Sequence, residues 1–317
     1  MDASSLNIDQ EAKTVQWGPA DNIADIRYDL NSIRGINQCP LLEESKIEDL
    51  INTFESRPDD VFICTYVKAG TTWTQQICHL LRNGGEQGEQ TYAESSPWLE
   101  AVTSPILSQW EATGHSLESI ATMEGPRFFK THANIQDLPG GVERPKVIYV
   151  CRNPKDVVVS LLNHAKDKPC FGFNGDLGKM LQFFMEGTCE NGSWFKHVLD
   201  WWNASQNNDR ILFLHYEQMM EDPAAAITKI AEFINIELTE ELLAKVVEKS
   251  SLKSMKSNSA VTSQMAKFGI TAHIRKGGAG GWRNHFTVRQ SELFDLCYGE
   301  LMKGTGLEMD FGDGVSM

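Results

Sequence analysis

Short apolar runs alternate with amphipathic stretches along most of this chain. Four runs stand out: Val61-Phe62-Ile63-Cys64, Arg127-Phe128-Phe129-Lys130, Lys146-Val147-Ile148-Tyr149-Val150 and Arg210-Ile211-Leu212-Phe213-Leu214. Each is short, continuous and rich in β-branched or aromatic residues, which predicts a buried strand. Helical periodicity fills the intervals, at 72–81, 155–166, 176–187, 193–205, 223–235, 239–249 and 289–303. Strands alternating with helices predict an α/β fold whose central parallel sheet is flanked by helices. We read residues 46–317 as one domain and residues 1–45 as an N-terminal surface segment of the same domain. The polar stretch Asn83 to Gln90 predicts an exposed loop, followed by Ser95-Ser96-Pro97-Trp98, which sets an aromatic residue on a loop. Parallel sheets bind ligands beyond the C-terminal ends of their strands. Lys68, His132 and Arg152 lie just past three of those ends.

The first of these turns, Thr65-Tyr66-Val67-Lys68-Ala69-Gly70-Thr71-Thr72-Trp73, carries the strongest chemical signal. Gly70 lets the backbone curl so that successive N–H groups point inward, and the helix that begins there adds its positive end. Lys68, Thr71 and Thr72 add donors, and Trp73 offers a flat face, which together describe a P-loop-like phosphate cradle. A Walker A loop places its lysine after the second glycine, whereas here the lysine precedes the glycine. A metal-free anion such as a phosphosulfate therefore fits better than a magnesium nucleotide. A second anion signal runs from Arg152-Asn153-Pro154 to Ser160, an arginine fork and a hydroxyl two helical turns apart. A third, Arg275-Lys276-Gly277-Gly278-Ala279-Gly280-Gly281-Trp282-Arg283, sets glycines beside cations. Taken singly, each also fits a capped turn, a surface arginine or a charged loop. His132, after Lys130-Thr131, is placed to take a proton from a nucleophilic hydroxyl, with Lys130 beside it for an anionic oxygen. His79 and His197 read as helix-face residues without a role.

Bulk properties narrow the partners. With 29 Lys plus Arg against 43 Asp plus Glu, the net charge is −14, which argues against broad binding of nucleic acid or anionic membrane. An anionic ligand must then be held by a local cluster of cations and N–H donors. The seven cysteines are odd in number and lack a CxxC pair, so free thiols in a reducing compartment are expected. No Cys/His spacing suggests a metal site. Met1 to Gln10 does not read as a secretory signal, and no stretch approaches the ~20 apolar residues that span a bilayer. A cytoplasmic protein is the expectation.

Together these motifs resemble those of the cytosolic sulfotransferases, over roughly residues 60–305. Thr65 to Trp73 is similar to the family's 5′-phosphosulfate loop, and Val150 to Ser160 to its 3′-phosphate motif. Arg275 to Thr287 is similar to its glycine-rich Arg-Lys-Gly segment. Pro97-Trp98-Leu99-Glu100, Lys130-Thr131-His132, Gly192-Ser193-Trp194 and Tyr216-Glu217-Gln218-Met219 add to the match. The resemblance implies 3′-phosphoadenosine 5′-phosphosulfate (PAPS) as donor, its bisphosphate PAP as product, and no metal. It implies that Lys68, Gly70, Thr71 and Thr72 hold the 5′-phosphosulfate and that Trp73 stacks on the adenine. Arg152, Ser160, Arg275, Lys276 and Gly277 would hold the 3′-phosphate, with Tyr216, Ser250 and Leu252 near the adenine. His132 would be the general base, Lys130 would assist the sulfonate, and Lys68 would steady charge on the bridging oxygen. Trp98, His164, Met255 and Phe268 are expected to line a pocket for a small-molecule hydroxyl. Val67, Ala69, Gly281 and Arg283 depart from the family pattern, as do Asn134 to Pro139 and His164. The segment Arg283-x-x-x-Thr287-Val288-x-x-x-Glu292 resembles the family's dimerisation motif and implies a homodimer. An amine acceptor, or a non-catalytic binder of the nucleotide, is the alternative reading.

Overall fold

A computed structural model describes Trp17 and residues 26–110, 114–258 and 278–312. Strands β1 (Asn31–Ile33) and β2 (Ile36–Gln38) form an antiparallel hairpin, and helix α1 (Glu44–Thr53) follows. The main sheet contains β3 (Val61–Thr65), β4 (Phe128–Thr131), β5 (Lys146–Cys151) and β6 (Ile211–His215), close to the four apolar runs. Between β3 and β4 lie α2 (Thr71–Arg82) and the short helices α3 (Tyr92–Ser95), α4 (Leu99–Val102), α5 (Pro105–Trp110) and α6 (Leu117–Thr122). Helices α7 (Pro154–Asp167), α8 (Leu177–Met185) and α9 (Trp194–Ser205) separate β5 from β6. After β6 come α10 (Tyr216–Glu221), α11 (Pro223–Phe233), α12 (Glu240–Lys249), α13 (Leu252–Ser257) and α14 (Val288–Met302).

The sheet order is β4-β3-β5-β6, all parallel. The chain leaves β3 to one side and returns on the other, so the loops after β3 and β5 flank a topological switch point. Both faces are covered, as the unbroken apolar runs require. Side chains alternate along each strand. Phe62, Phe129, Val147 and Tyr149 join Val157, Leu161, Phe184, Trp201 and Phe294 on one face. Val61, Ile63, Phe128, Ile148 and Val150 join Ile77, Leu80, Ile227, Ile230 and Val246 on the other. Helix starts fall close to their expected places because the caps are local. Asn153, Asp176, Ser193, Asp222 and Thr239 each accept a hydrogen bond from a backbone amide of the following helix.

Two features differ from the sequence reading. Trp17, Ile33, Cys39 and Leu42 are buried in the same core as the sheet, so the N-terminal segment also supplies packing. The 83–90 stretch is mostly exposed, yet Gln87 is tied down, its carbonyl accepting from His79 Nε2 at 2.6 Å.

At the N-terminal end of the sheet, Arg127 is 2% exposed and forks onto Asp60, Nε to Oδ1 at 2.7 Å and a terminal nitrogen to Oδ2 at 2.6 Å. It also donates to the carbonyls of Ile120 and Glu55, tying the starts of β3 and β4 to the preceding turns. Replacing Arg127 with Met would strand the buried Asp60 carboxylate. We expect a loss of about 3–5 kcal/mol in urea unfolding, and a loss under 1 kcal/mol would show that Asp60 finds other partners.

Candidate active site

Strand register assembles the site. Thr65 pairs with Val150, Cys64 with Thr131, and Cys151 with His215. The next residue after each strand therefore emerges at one rim: Tyr66, His132, Arg152 and Tyr216. Within the first turn Lys68 has φ +71° and Gly70 has φ +113°, so the backbone winds left-handed before α2 starts at Thr71. A Cβ on Gly70 would lie 2.8 Å from the Tyr216 ring, so both the backbone twist and the space demand glycine there. The first amides of α2 have no acceptor within the helix and face the same rim, with the positive end of the helix dipole.

Tyr216 organises one half of the rim. Its ring meets Trp73 edge-on, with centroids 5.5 Å apart at 76°, and the Arg152 guanidinium lies 4.5 Å from its centre. Arg152 donates to the carbonyls of Lys68 and Gly278, both at 3.2 Å, which links the first and third turns. Its Nε is buried with no hydrogen-bond partner among the described residues. A buried, unmatched cationic donor beside a helix N-terminus fits an anion. Ser160 lies two turns along α7 from its start, as the spacing implied. Ser250 caps α12 and is buried, and Leu252 opens α13. Met255 packs with Tyr92, Ala93 and Trp73, on the same side of the rim as Tyr216. Phe268, Arg275, Lys276 and Gly277 lie outside the described residues.

His132 occupies the other half. Its Nδ1 sits 2.9 Å from the Thr65 carbonyl; a carbonyl only accepts, so Nδ1 carries the proton and Nε2 keeps its lone pair. Burial, and then Lys130, hold its pKa well below the usual histidine value, so the ring is neutral at pH 7. Trp98 stands edge-on to it, centroids 5.7 Å apart, and the Lys130 ammonium lies 4.5 Å from the Trp98 ring centre. Trp98 is the residue just before α4, in extended backbone, and it bridges to Lys130, so its place between the helices is fixed by the edge of the sheet. Thr65 Oγ1 bonds Thr71 Oγ1 at 2.7 Å and lies 3.4 Å from His132 Nδ1, joining the histidine to the start of α2. His164, on the last turn of α7, pairs with Glu190 at 3.2 Å.

Several residues without an assigned role hold this frame. Glu100 Oε1 accepts from Thr131 Oγ1 at 2.5 Å and from the His132 amide at 3.2 Å. The His132 carbonyl accepts from Asn191 Nδ2 at 2.9 Å and His197 Nε2 at 3.2 Å, while His197 Nδ1 lies 2.8 Å from the Tyr149 hydroxyl. Burial lowers His197 to about 4, so it stays neutral. Glu217 accepts from the Asn153 amide at 2.9 Å, and burial pushes its carboxyl up to about 7. Asp156 accepts from the amides of Gly280 and Trp282, both at 2.8 Å, and so anchors the end of the glycine-rich segment to α7. The capping pattern Asn-Pro-x-Asp was visible in the sequence; the distant partners of Glu100, Asn191, His197 and Glu217 were not.

Residues 58–306 match the sulfotransferase domain family. Human sulfotransferase 1C2 is 35% identical over 267 residues, covering 81% of this chain and 88% of that protein. Mouse sulfotransferase 1A1 is 36% identical over 289 residues, covering 88% and 96%. Among solved structures, mouse sulfotransferase SULT7A1 complexed with PAP superposes with a TM-score of 0.72 at 29% identity, covering 87% of this chain and 96% of that one. Retinol dehydratase in complex with retinol and PAP gives 0.74 at 25% identity, covering 85% and 89%. The chain belongs to the sulfotransferase family. It is a sulfotransferase, as its turn motifs implied.

Gly70 provides a direct check on the cradle. Gly70→Ala forces a side chain into left-handed backbone and against Tyr216, and we expect about 1–3 kcal/mol less stability in urea unfolding. An unchanged midpoint would mean that the turn relaxes freely.

Proposed function

We propose that this sulfotransferase moves the sulfonate of PAPS onto the hydroxyl of a small molecule, with His132 as general base. The observation that carries this reading is the fixed tautomer of His132: the Thr65 carbonyl holds Nδ1–H, and burial keeps the ring neutral. Its Nε2 is thereby ready to accept a proton at pH 7. When bound, PAPS supplies an activated sulfonate whose bond to the bridging phosphate oxygen breaks as the new S–O bond forms.

The residues of this chain do the rest. The α2 N-terminus, Lys68, Thr71 and Thr72 suit the 5′-phosphosulfate, with Gly70 shaping the turn. Lys68 stabilises charge developing on the bridging oxygen and Lys130 the sulfonate oxygens. Arg152, with its unmatched Nε, suits the 3′-phosphate, joined by Ser160 and by Arg275, Lys276 and Gly277. Trp73 and Tyr216 present aromatic faces to the adenine, with Ser250 and Leu252 at its edge. Trp98 and His164 border the acceptor, and Phe268 joins them. Met255 supports Trp73. Among the described residues no group of His, Cys, Asp and Glu is arranged to hold a metal ion, and the proposed chemistry uses side-chain cations in its place.

The enzyme works in the cytoplasm, consistent with seven free thiols. It pairs as a homodimer through Arg283 to Glu292. There Thr287 caps α14 with a reciprocal Gln290 contact, and Val288 and Leu296 are 75% and 69% exposed. Both lie two turns apart on one face with Glu292.

His132→Ala should leave calorimetric uptake of PAP intact while turnover with PAPS and a phenol, in the presence of a chelator, falls by roughly 10²–10⁴-fold. Equal turnover would remove His132 from the mechanism. Val288→Glu should convert a dimer to a monomer in sedimentation with activity retained; an unchanged sedimentation coefficient would remove this face from the contact.

A further inference from the structure

The mechanism above leaves one buried acid beside the reacting groups unused. Glu190 lies between β5 and β6, just before α9, with its side chain 6% exposed. Three contacts tie it to the catalytic half of the site. Tyr66, the first residue of the phosphosulfate turn, donates its hydroxyl to the Glu190 carbonyl at 3.0 Å. The next residue, Asn191, holds the His132 carbonyl at 2.9 Å. His164, one helical turn beyond Ser160 on α7, lies 3.2 Å from Glu190 Oε2. The carboxyl also feels the charges of Lys68 and Lys130, both proposed to act on the sulfonate, as well as Lys168.

Oε2 of Glu190 is buried and has no hydrogen-bond partner among the described residues; His164 Nε2 lies 3.2 Å away without hydrogen-bond geometry. A buried acceptor oxygen left in this state is costly, and a ligand that donates to it recovers the loss. The surrounding wall is aromatic. His164 faces Phe171 at 5.3 Å, and Tyr28 meets Phe171 at 5.9 Å and Phe173 at 5.1 Å. Aromatic walls with the Glu190 oxygen and the Tyr28 hydroxyl, also buried without a hydrogen-bond partner among the described residues, describe a subsite for an aromatic acceptor that carries a donor group of its own.

We propose that Glu190, oriented by His164, is a specificity residue that selects acceptors bearing a second hydrogen-bond donor, a hydroxyl or an ammonium, in addition to the hydroxyl that is sulfonated. This rests on the proposed sulfonate transfer. A simple phenol leaves Oε2 unmatched, whereas a phenol with a donor-bearing side chain satisfies it. A site built around a buried polar group discriminates against analogues that lack the matching group.

The test compares three phenols with PAPS as donor: 4-ethylphenol, its ω-hydroxyl analogue and its ω-ammonium analogue. The wild-type enzyme should favour at least one donor-bearing phenol over 4-ethylphenol by roughly tenfold or more in kcat/KM. The Glu190→Gln variant should narrow that ratio severalfold while the KM for PAPS stays unchanged. The hydroxyl and ammonium arms distinguish a dipolar from a charged donor. Equal kcat/KM for all three phenols in the wild type overturns the proposal without any variant, as does a preference that Glu190→Gln leaves untouched. Calorimetric uptake of PAP by both proteins separates this from failure of the underlying reading. If neither takes up PAP, the sulfotransfer assignment falls and the specificity claim falls with it. His164→Phe, which keeps a flat ring, gives a second variant: it should narrow the same ratio, and a full wild-type preference in it counts against the pair.

Discussion

The in-register C-terminal edge of the parallel sheet is the constraint on which the rest depends. Four strands end together, so residues separated by up to 150 positions in sequence, Tyr66 and Tyr216, emerge at the same rim. The backbone pairing that satisfies each strand's polar groups thereby also sets the spacing of His132, the cations and the aromatic rings. Nothing at the rim needs to be strongly sticky by itself. A displacement of one strand by one residue would send each emerging side chain to the opposite face and dissolve the site.

At that rim an acidic protein concentrates positive charge. The net charge of −14 is spread over the chain, whereas Lys68, Lys130 and Arg152 converge on the switch point beside the amides that open α2. The carboxylates that come close are buried. Burial pushes Glu190 and Glu217 up to about 7 and raises Glu100 as well, which weakens the negative charge they oppose to the lysines and the arginine. The acids act as hydrogen-bond acceptors instead. Glu100 holds the His132 amide, and Glu217 holds the amide of Asn153 beside Arg152.

Much of the rim is held by contacts between side chains and backbone. The carbonyl of Thr65 selects the tautomer of His132, the carbonyls of Lys68 and Gly278 aim Arg152, and the amides of Gly280 and Trp282 rest on Asp156. Such partners leave no residue-type signature, since every position offers a carbonyl and nearly every position an amide. That explains why Lys68, His132 and Arg152 could be singled out from their order along the chain while their orientations could not.

The sequence by itself determined the strands, most of the helix limits and the turn that opens α2, because these follow from local physics: apolar periodicity, capping side chains and the backbone freedom of Gly70. It also determined the family, because the turn residues stand in a fixed order. Tertiary structure alone decided which apolar residues of the N-terminal segment enter the core and why Tyr216 makes Gly70 indispensable. It also decided that Met255 packs beside Trp73 and that Glu190 meets His164 close to His132. Each of these depends on partners far apart in sequence whose distance is set by sheet order and helix packing, and no local pattern encodes that distance.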